Sequence, residues 1–260
     1  MIVMDTSLLQ DKINAARANR LINNFYASDV SEKACGIWET GDEFVFSYED
    51  HGINRLIFFV KDLKSIDVIL KQIPQGKYFI DIMGRTRGED LSSDIKAIAH
   101  LKRFSNPDCR SVFDNGSEVI IYKGSVSVET ALEEDASELN KLLWSTFNTE
   151  VSHLLSDDEL RTVIRSGQIS LHRNDEGIID ALLQADVLPK KFYINQIINK
   201  SCRKEVIHSI LLDRLEGYVA NGGKYLYSWI EETNNASLKF HEKYGMKHDG
   251  MWNTVYCLER

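Results

Sequence analysis

Residues 234–246, NNASLKFHEKYGM, read as a helix of about two turns with both ends marked. Asn234 is an N-cap residue, whose side-chain oxygen satisfies a free amide of the first turn. Gly245 closes the helix, because glycine accepts the left-handed conformation that reverses the chain, and Met246 then returns to the core. Leu238 and Phe240 pack. His241 reads either as a functional group or as a half-buried histidine within a hydrogen-bond network, and Tyr244 lies three residues on.

Working outward, KYLYSWI (224–230) is a strand with Tyr225, Tyr227 and Trp229 on one face. Before it lies a long helix over 203–220, stopped by Asn221-Gly222-Gly223, and before that the strand KFYINQIIN (191–199). NTVYCLE (253–259) is a last strand. Further upstream, QISLHR and GIIDALLQA form a hairpin across NDEG (174–177). SDDELRTVIRSG (156–167) is a helix whose Ser156 and Glu159 have capping-box spacing. Leu139, Leu142, Leu143 and Phe147 step along one face of another helix.

The first half reads as an amphipathic helix over 8–25, then an antiparallel meander of ACGIWET, EFVFSYE and RLIFFVKD with Gly-Asp and His-Gly turns. A helix follows over 63–73, a strand at KYFIDIMG, a second helix near SSDIKAIAHLKRF (92–104), and a strand at EVIIYKG (118–124). The two halves share an element order, which suggests a degenerate duplication with a boundary near residue 122. The expected domains are therefore 1–122 and 123–260, each a mixed, mostly antiparallel α/β sheet flanked by helices.

The chain of 260 residues carries 39 acidic and 31 basic side chains, a formal net charge of −8. That balance argues against a protein that coats nucleic acid or binds an anionic membrane. Its four cysteines, Cys35, Cys109, Cys202 and Cys257, form no C-x-x-C pair, so a zinc or redox motif is not expected and no metal is required. The N-terminal stretch is charged throughout, unlike a signal peptide, and no apolar run approaches the roughly 20 residues that span a bilayer. A cytoplasmic location is expected.

The second half resembles the GNAT superfamily of acyl-CoA-dependent N-acyltransferases over roughly residues 123–260. On the family's helix N-x-x-A/S-x-x-x-Y-x-x-x-G-F, the matching residues are Asn234, Ser237, His241, Gly245 and Met246. INKSCRKEVIHSILLDRL (198–215) lies where the family has a strand end, a loop R/Q-x-x-G-x-G/A and a helix. The resemblance implies tandem GNAT-like architecture, with the second domain holding acetyl-CoA as co-substrate. It assigns CoA contacts to Ile198, Asn199, Arg203, Lys204, Glu205, Val206, Ile207, His208 and Asn234. The physics of such a loop is anion binding by the free amides of a helix start. Arg203 keeps the first position, but Val206 and His208 replace the two small residues that let the backbone approach a pyrophosphate. Lys200, Arg203 and Lys204 would then supply the charge. As plain structure, Val206, Ile207, Ile210, Leu211 and Leu215 are the core face of a helix.

The resemblance places an acid for the leaving thiolate at His241, where the family commonly has Tyr, with Tyr244 as second choice. General acid–base groups contribute about 10²–10⁴-fold to such steps. For a base, Glu231, or its neighbour Glu232, ends the strand beside the thioester path; either is also explained as a solvated acid at a helix entry. Tyr225, Tyr227 and Trp229 suit the core or the wall of an acceptor site. The first half has Asp62 and Asp67 where a phosphate loop would stand, so its expected part is to complete an acceptor cleft. His51, Arg85, Arg87 and Glu89 read as surface loop. The expected activity is acetylation of a primary amine on a small molecule, sugar or peptide. A catalytically silent scaffold of the same fold is the alternative, and use of a longer or carrier-bound acyl thioester ranks behind both.

Overall fold

The computed structural model describes residues 6–25, 28–114 and 117–260; the first five residues of the stretch compared with a signal peptide lie outside them. The chain divides into two compact units, Met1–His100 with Trp252–Arg260, and Leu101–Met251. Both cuts fall inside long strands. A single cut near residue 122 differs from this division at 101–122 and at 252–260.

In the first unit, α1 (Thr6–Ala18) buries Leu9, Ile13 and Ala16 along one stripe. The short β1 (Ile22–Asn23) pairs antiparallel with β4 of the meander formed by β2 (Ala34–Thr40), β3 (Glu43–Asp50) and β4 (Ile53–Val60). The β3–β4 turn is His51-Gly52, with φ of 52° and 82°, the mirror-image turn whose twist suits two joined strands. Alternation splits the meander's apolar side chains between two clusters. Phe44, Phe46, Ile57 and Phe59 pack with α1, and Val45, Leu56, Phe58 and Val60 pack with α2 (Ile66–Leu70). The helix expected over 63–73 is thus a 3₁₀ turn, Leu63–Ser65, leading into α2. β5 (Lys77–Gly84) runs parallel to β4.

The helix expected over 8–25 stops at Ala18, with Ile22–Asn23 a strand, and two further expectations fail here. The helix expected near SSDIKAIAHLKRF is β6 (Ile95–Asn106). Its spacing satisfies a period of two as well as one of 3.6: Ile95, Ala97 and Ala99 turn inward while Lys96 and Ile98 are exposed. Ladder pairing of its second part decides the outcome. The strand expected at EVIIYKG is instead a 3₁₀ turn, Ile120–Tyr122, tied by bonds from Tyr122 N to Val119 O and Lys123 N to Ile120 O. Burial of Val119 beside an exposed Ile121 needs only that turn. The parallel element order of the two halves breaks at the missing helix.

The second unit is built from β7 (Glu129–Thr130), α3 (Ala136–Thr146), α4 (Asp157–Arg165), β8 (Ile169–Arg173), β9 (Ile179–Leu188), β10 (Lys191–Asn199), α5 (Lys204–Ala220), β11 (Tyr225–Glu231), α6 (Asn235–Glu242) and the start of β12 (Lys247–Glu259). The capping box of α4 forms as expected, with Ser156 N donating to Glu159 Oε2 at 2.9 Å and Glu159 N to Ser156 Oγ at 3.3 Å. Strand order is β7-β8-β9-β10-β11, followed by Leu101–Asn106 of β6. All these neighbours are antiparallel except β10 and β11. One face packs on α3 and α4 through Leu171, Leu182 and Ile198; the other packs on α5 through Leu183, Phe192 and Ile194.

Candidate active site

The parallel pair is where this sheet opens. β10 and β11 are in register from Lys191 opposite Tyr225 to Ile194 opposite Ser228. Beyond that point β10 continues to Asn199 and β11 to Glu231 without this pairing. A β-bulge marks the separation: Ile194 faces Ala185 and Gln196 faces Gln184, leaving Asn195 as the extra residue. The bulge exchanges the faces of the strand. Ile194 packs under α5, whereas Ile198, at an even spacing from it, packs under α3 and α4. The hydroxyl of Ser228 donates to the Ile194 carbonyl at 2.9 Å, satisfying an acceptor at the fork.

Because β10 and β11 are parallel, both diverging ends lead into helix N-termini, α5 from one and α6 from the other. The α6 end forms as the sequence indicates. Asn234 Oδ1 accepts from Ser237 N at 3.0 Å. At its far end Gly245 has φ +67°, Gly245 N donates to Glu242 O, and Met246 N donates to His241 O, the paired bonds of a left-handed helix stop.

The α5 end is different. Its N-cap, Arg203, makes no side-chain cap bond, and the preceding Cys202 holds φ +58°. Asn199 laces the loop together: its Nδ2 donates to Arg203 O at 3.1 Å, and its Oδ1 accepts from Ser201 Oγ at 2.6 Å. The Glu205 carboxylate accepts from its own backbone N–H and from Arg203 Nε at 3.1 Å, and that amide followed by Arg203 holds its pKa down. Lys204 Nζ lies over the Tyr122 ring at 5.6 Å. Val206, Ile207 and His208 are buried in the core, so only their backbones remain for a ligand.

His208 and Tyr244 form a buried polar contact inside that core. The His208 ring lies between Tyr122 and Phe240, 4.9 Å from each, and its Nδ1 is 2.8 Å from Tyr244 Oη. Burial, helped by the Lys243 and Lys204 charges, pulls its pKa down to about 4. The Tyr244 phenol is fully buried, and burial pushes its pKa up.

His241 is 2% exposed. Its Nδ1 lies 2.8 Å from Ser237 O, and because a carbonyl only accepts, that nitrogen carries the proton. Nε2 therefore holds a lone pair, buried and without a partner. Burial lowers the pKa to about 4, so the resting imidazole is neutral. Glu231 is exposed, with Oε1 accepting from Thr233 Oγ1 at 3.0 Å.

The sequence reading missed a polar row on the sheet. Asp186, Tyr193, Tyr227 and Ser105 stand opposite one another across β9, β10, β11 and β6. The Tyr193 and Tyr227 rings stack at 4.7 Å, and Tyr225 lies 5.6 Å from Tyr227. Ser105 Oγ donates to Asp249 Oδ2 at 3.2 Å; the same oxygen takes Arg103 Nε at 2.7 Å, and Arg103 lies over the Trp229 ring. Burial raises the Asp186 pKa, opposed by a hydrogen bond from Asn195. The available signal was ALLQADVL (181–188), where Gln184 and Asp186 interrupt an apolar strand two residues apart, on one face. A surface pocket of about 600 Å³ lies elsewhere, at the C-terminal end of α6 beside Lys239, Glu242 and Lys243, and of the expected site residues it holds Tyr244 alone.

No family model and no curated protein sequence matches the chain. Solved structures do. A GCN5-related N-acetyltransferase from Sphaerobacter thermophilus superposes with a TM-score of 0.58 at 10% identity, over 84% of this chain and 76% of that one. A tandem GNAT protein from the clavulanic acid biosynthesis pathway gives 0.55 at 11% identity, over 85% and 81%. A GNAT-family protein from Novosphingobium aromaticivorans gives 0.54 at 14% identity, over 88% and 92%. The chain has the GNAT fold.

Proposed function

We propose that the protein is an acyl-CoA-dependent N-acetyltransferase acting on a primary amine of a small molecule, sugar or peptide. The observation that carries this reading is the fork of β10 and β11 at the Asn195 bulge, with the starts of α5 and α6 at its open ends. A thioester laid in such a fork meets unpaired strand edges along its length and helix amides at its phosphates. Lys200, Arg203 and Lys204 supply positive charge there, and Asn234 stands at the start of the second helix. In the reaction the amine nitrogen attacks the thioester carbonyl, the new C–N bond forms, and the C–S bond breaks with the pair leaving on sulfur. Asp186, whose pKa is raised by burial, takes the amine's proton in this reading, which makes the face of β9 and β10 that carries it the acceptor face. His241 acts as an acid only after taking up a proton at Nε2, so catalysis through it favours acidic pH.

A silent binding protein of the same fold is favoured by one specific feature: Glu205 places its own carboxylate on the amide that an incoming phosphate would use. Titration calorimetry with acetyl-CoA and with free CoA separates the two. Micromolar affinity supports the enzyme, and no heat at millimolar ligand sinks it. No helix among the described residues is long and apolar enough to cross a membrane. The cysteines form no disulfide among the described residues, which suits a reducing cytoplasm.

A further inference from the structure

Two buried carboxamides on the acceptor face have oxygens without a hydrogen-bond donor. Gln184 is 5% exposed and Gln196 9% exposed, and the side-chain oxygen of each is buried with no hydrogen-bond donor. The two residues stand directly opposite each other on β9 and β10, one position past the bulge. They share a face with Asp186 and Tyr193, because Asp186 is two residues from Gln184 and Tyr193 faces Asp186. The same face continues on the other side to Leu182 and Ile198, which lie under α3 and α4. So the two oxygens sit between a dry helical cover and an aromatic, carboxylate-bearing surface, at the level where β10 parts from β11.

A buried acceptor without a donor is destabilising, and the large majority of such groups in folded proteins are satisfied. Two facing each other at a fork, on strands that could have carried leucines, call for a ligand that brings N–H groups. We propose that Gln184 and Gln196 are the specificity-determining pair of the acceptor subsite, their oxygens each taking one N–H of an unsubstituted primary amine on an aliphatic carbon. This rests on the acetyltransferase reading and adds the residues that select the acceptor. An amine has two or three N–H groups: two are held by the carboxamides, and Asp186 is the nearest carboxylate on the same face for a third. Neutral oxygens hold the amine without fixing its charge, so it can lose a proton before attack. An acceptor bearing alkyl groups in place of those hydrogens leaves both oxygens unsatisfied and is rejected, since a site built to hydrogen-bond discriminates strongly against an analogue that lacks the donor.

The test uses the full chain and two probes of similar size, n-butylamine and butyltrimethylammonium, the second a cation without N–H groups. Calorimetry should give millimolar binding of n-butylamine and binding at least about tenfold weaker for the quaternary ion. Gln184→Met and Gln196→Met, which keep side-chain length, should each weaken n-butylamine by about tenfold and leave CoA affinity unchanged. Equal binding of the two probes, no binding of n-butylamine, or Met variants that keep wild-type amine affinity would each overturn the proposal. The probe comparison needs no variant and survives a folding failure. Loss of CoA binding alone strikes the acetyltransferase reading, whereas the amine results strike the glutamine pair, so the two failures are distinguishable.

Discussion

Two helices start from the diverging strands of one parallel pair, and they begin in opposite ways. At α6 the first amides are answered by Asn234, a neutral side chain that sequence alone marks as a cap. At α5 the N-cap side chain makes no cap bond and instead holds Glu205, whose carboxylate comes from inside the first turn. The α6 start is complete as it stands, while the α5 start is occupied by a charge that an external anion could replace. The difference lies in what answers the first-turn amides: a neutral cap at α6 and a charged side chain from within the turn at α5.

Each helix also buries a histidine, and acid tests whether the two behave alike. His208 and His241 have pKa values lowered to about 4, first of all by burial, against an unfolded value of about 6.5. The unfolded chain therefore binds protons that the folded chain refuses. Stability is full above about pH 6.5 and is lost as pH falls toward 4. At pH 5 we expect a loss of about 2 kcal/mol for His241 and a comparable one for His208, read as a falling urea midpoint. His241→Phe should remove about half of that slope. An unchanged slope in the variant would mean that His241 is hydrated and titrates normally.

The far end of α6 offers the next effect. Gly245 holds φ +67°, and a Cβ built there lies 3.0 Å from Asn106 Nδ2, which itself donates to Tyr244 O. Gly245→Val should cost about 2 kcal/mol, since the left-handed conformation alone costs a branched residue roughly 1–2 kcal/mol. At the near end, Asn234→Ala should cost about 1 kcal/mol. Arg203→Ala, at the matching position of α5, should leave urea stability nearly unchanged, because its side chain makes no cap bond and its contact with Glu205 is an exposed ion pair. Destabilisation by Arg203→Ala equal to that of Asn234→Ala would erase the contrast between the two starts.

What the sequence made legible follows the same contrast. Asn234 and Gly245 act through their own backbones, so their roles could be read from residue type and position. The capping box at Ser156 and Glu159 was readable for that reason too. The polar face of β9 was not, because Gln184 and Asp186 gain meaning only when Gln196 and Tyr193 stand opposite them, and the bulge at Asn195 that sets this register has no sequence signature. IKAIAHLKRF fits two periods, and sheet pairing, for its second part with Leu226–Glu231, makes it a strand. His241 was legible as a position but not as a state. Its burial, and the carbonyl that fixes its tautomer, depend on packing around a helix start that the sequence marks only by its cap.

The smallest effect expected is the most direct probe of the α5 start. Glu205→Gln keeps the shape of the side chain and removes its charge from the first-turn amide, freeing Arg203 from the contact at 3.1 Å. If the amides and Arg203 receive a phosphate, removal of the competing carboxylate should tighten CoA binding by about two- to fivefold, the scale of one charge at a helix terminus. The gain should shrink with added salt, because both partners are exposed and screened. Arg203→Ala should weaken CoA by a similar factor, and in the double variant the benefit of Glu205→Gln should be smaller than in the wild-type background, since part of it is the release of Arg203. Weaker CoA binding in Glu205→Gln would instead make Glu205 a support of the loop, and the two helix starts would then differ in cap chemistry without differing in availability.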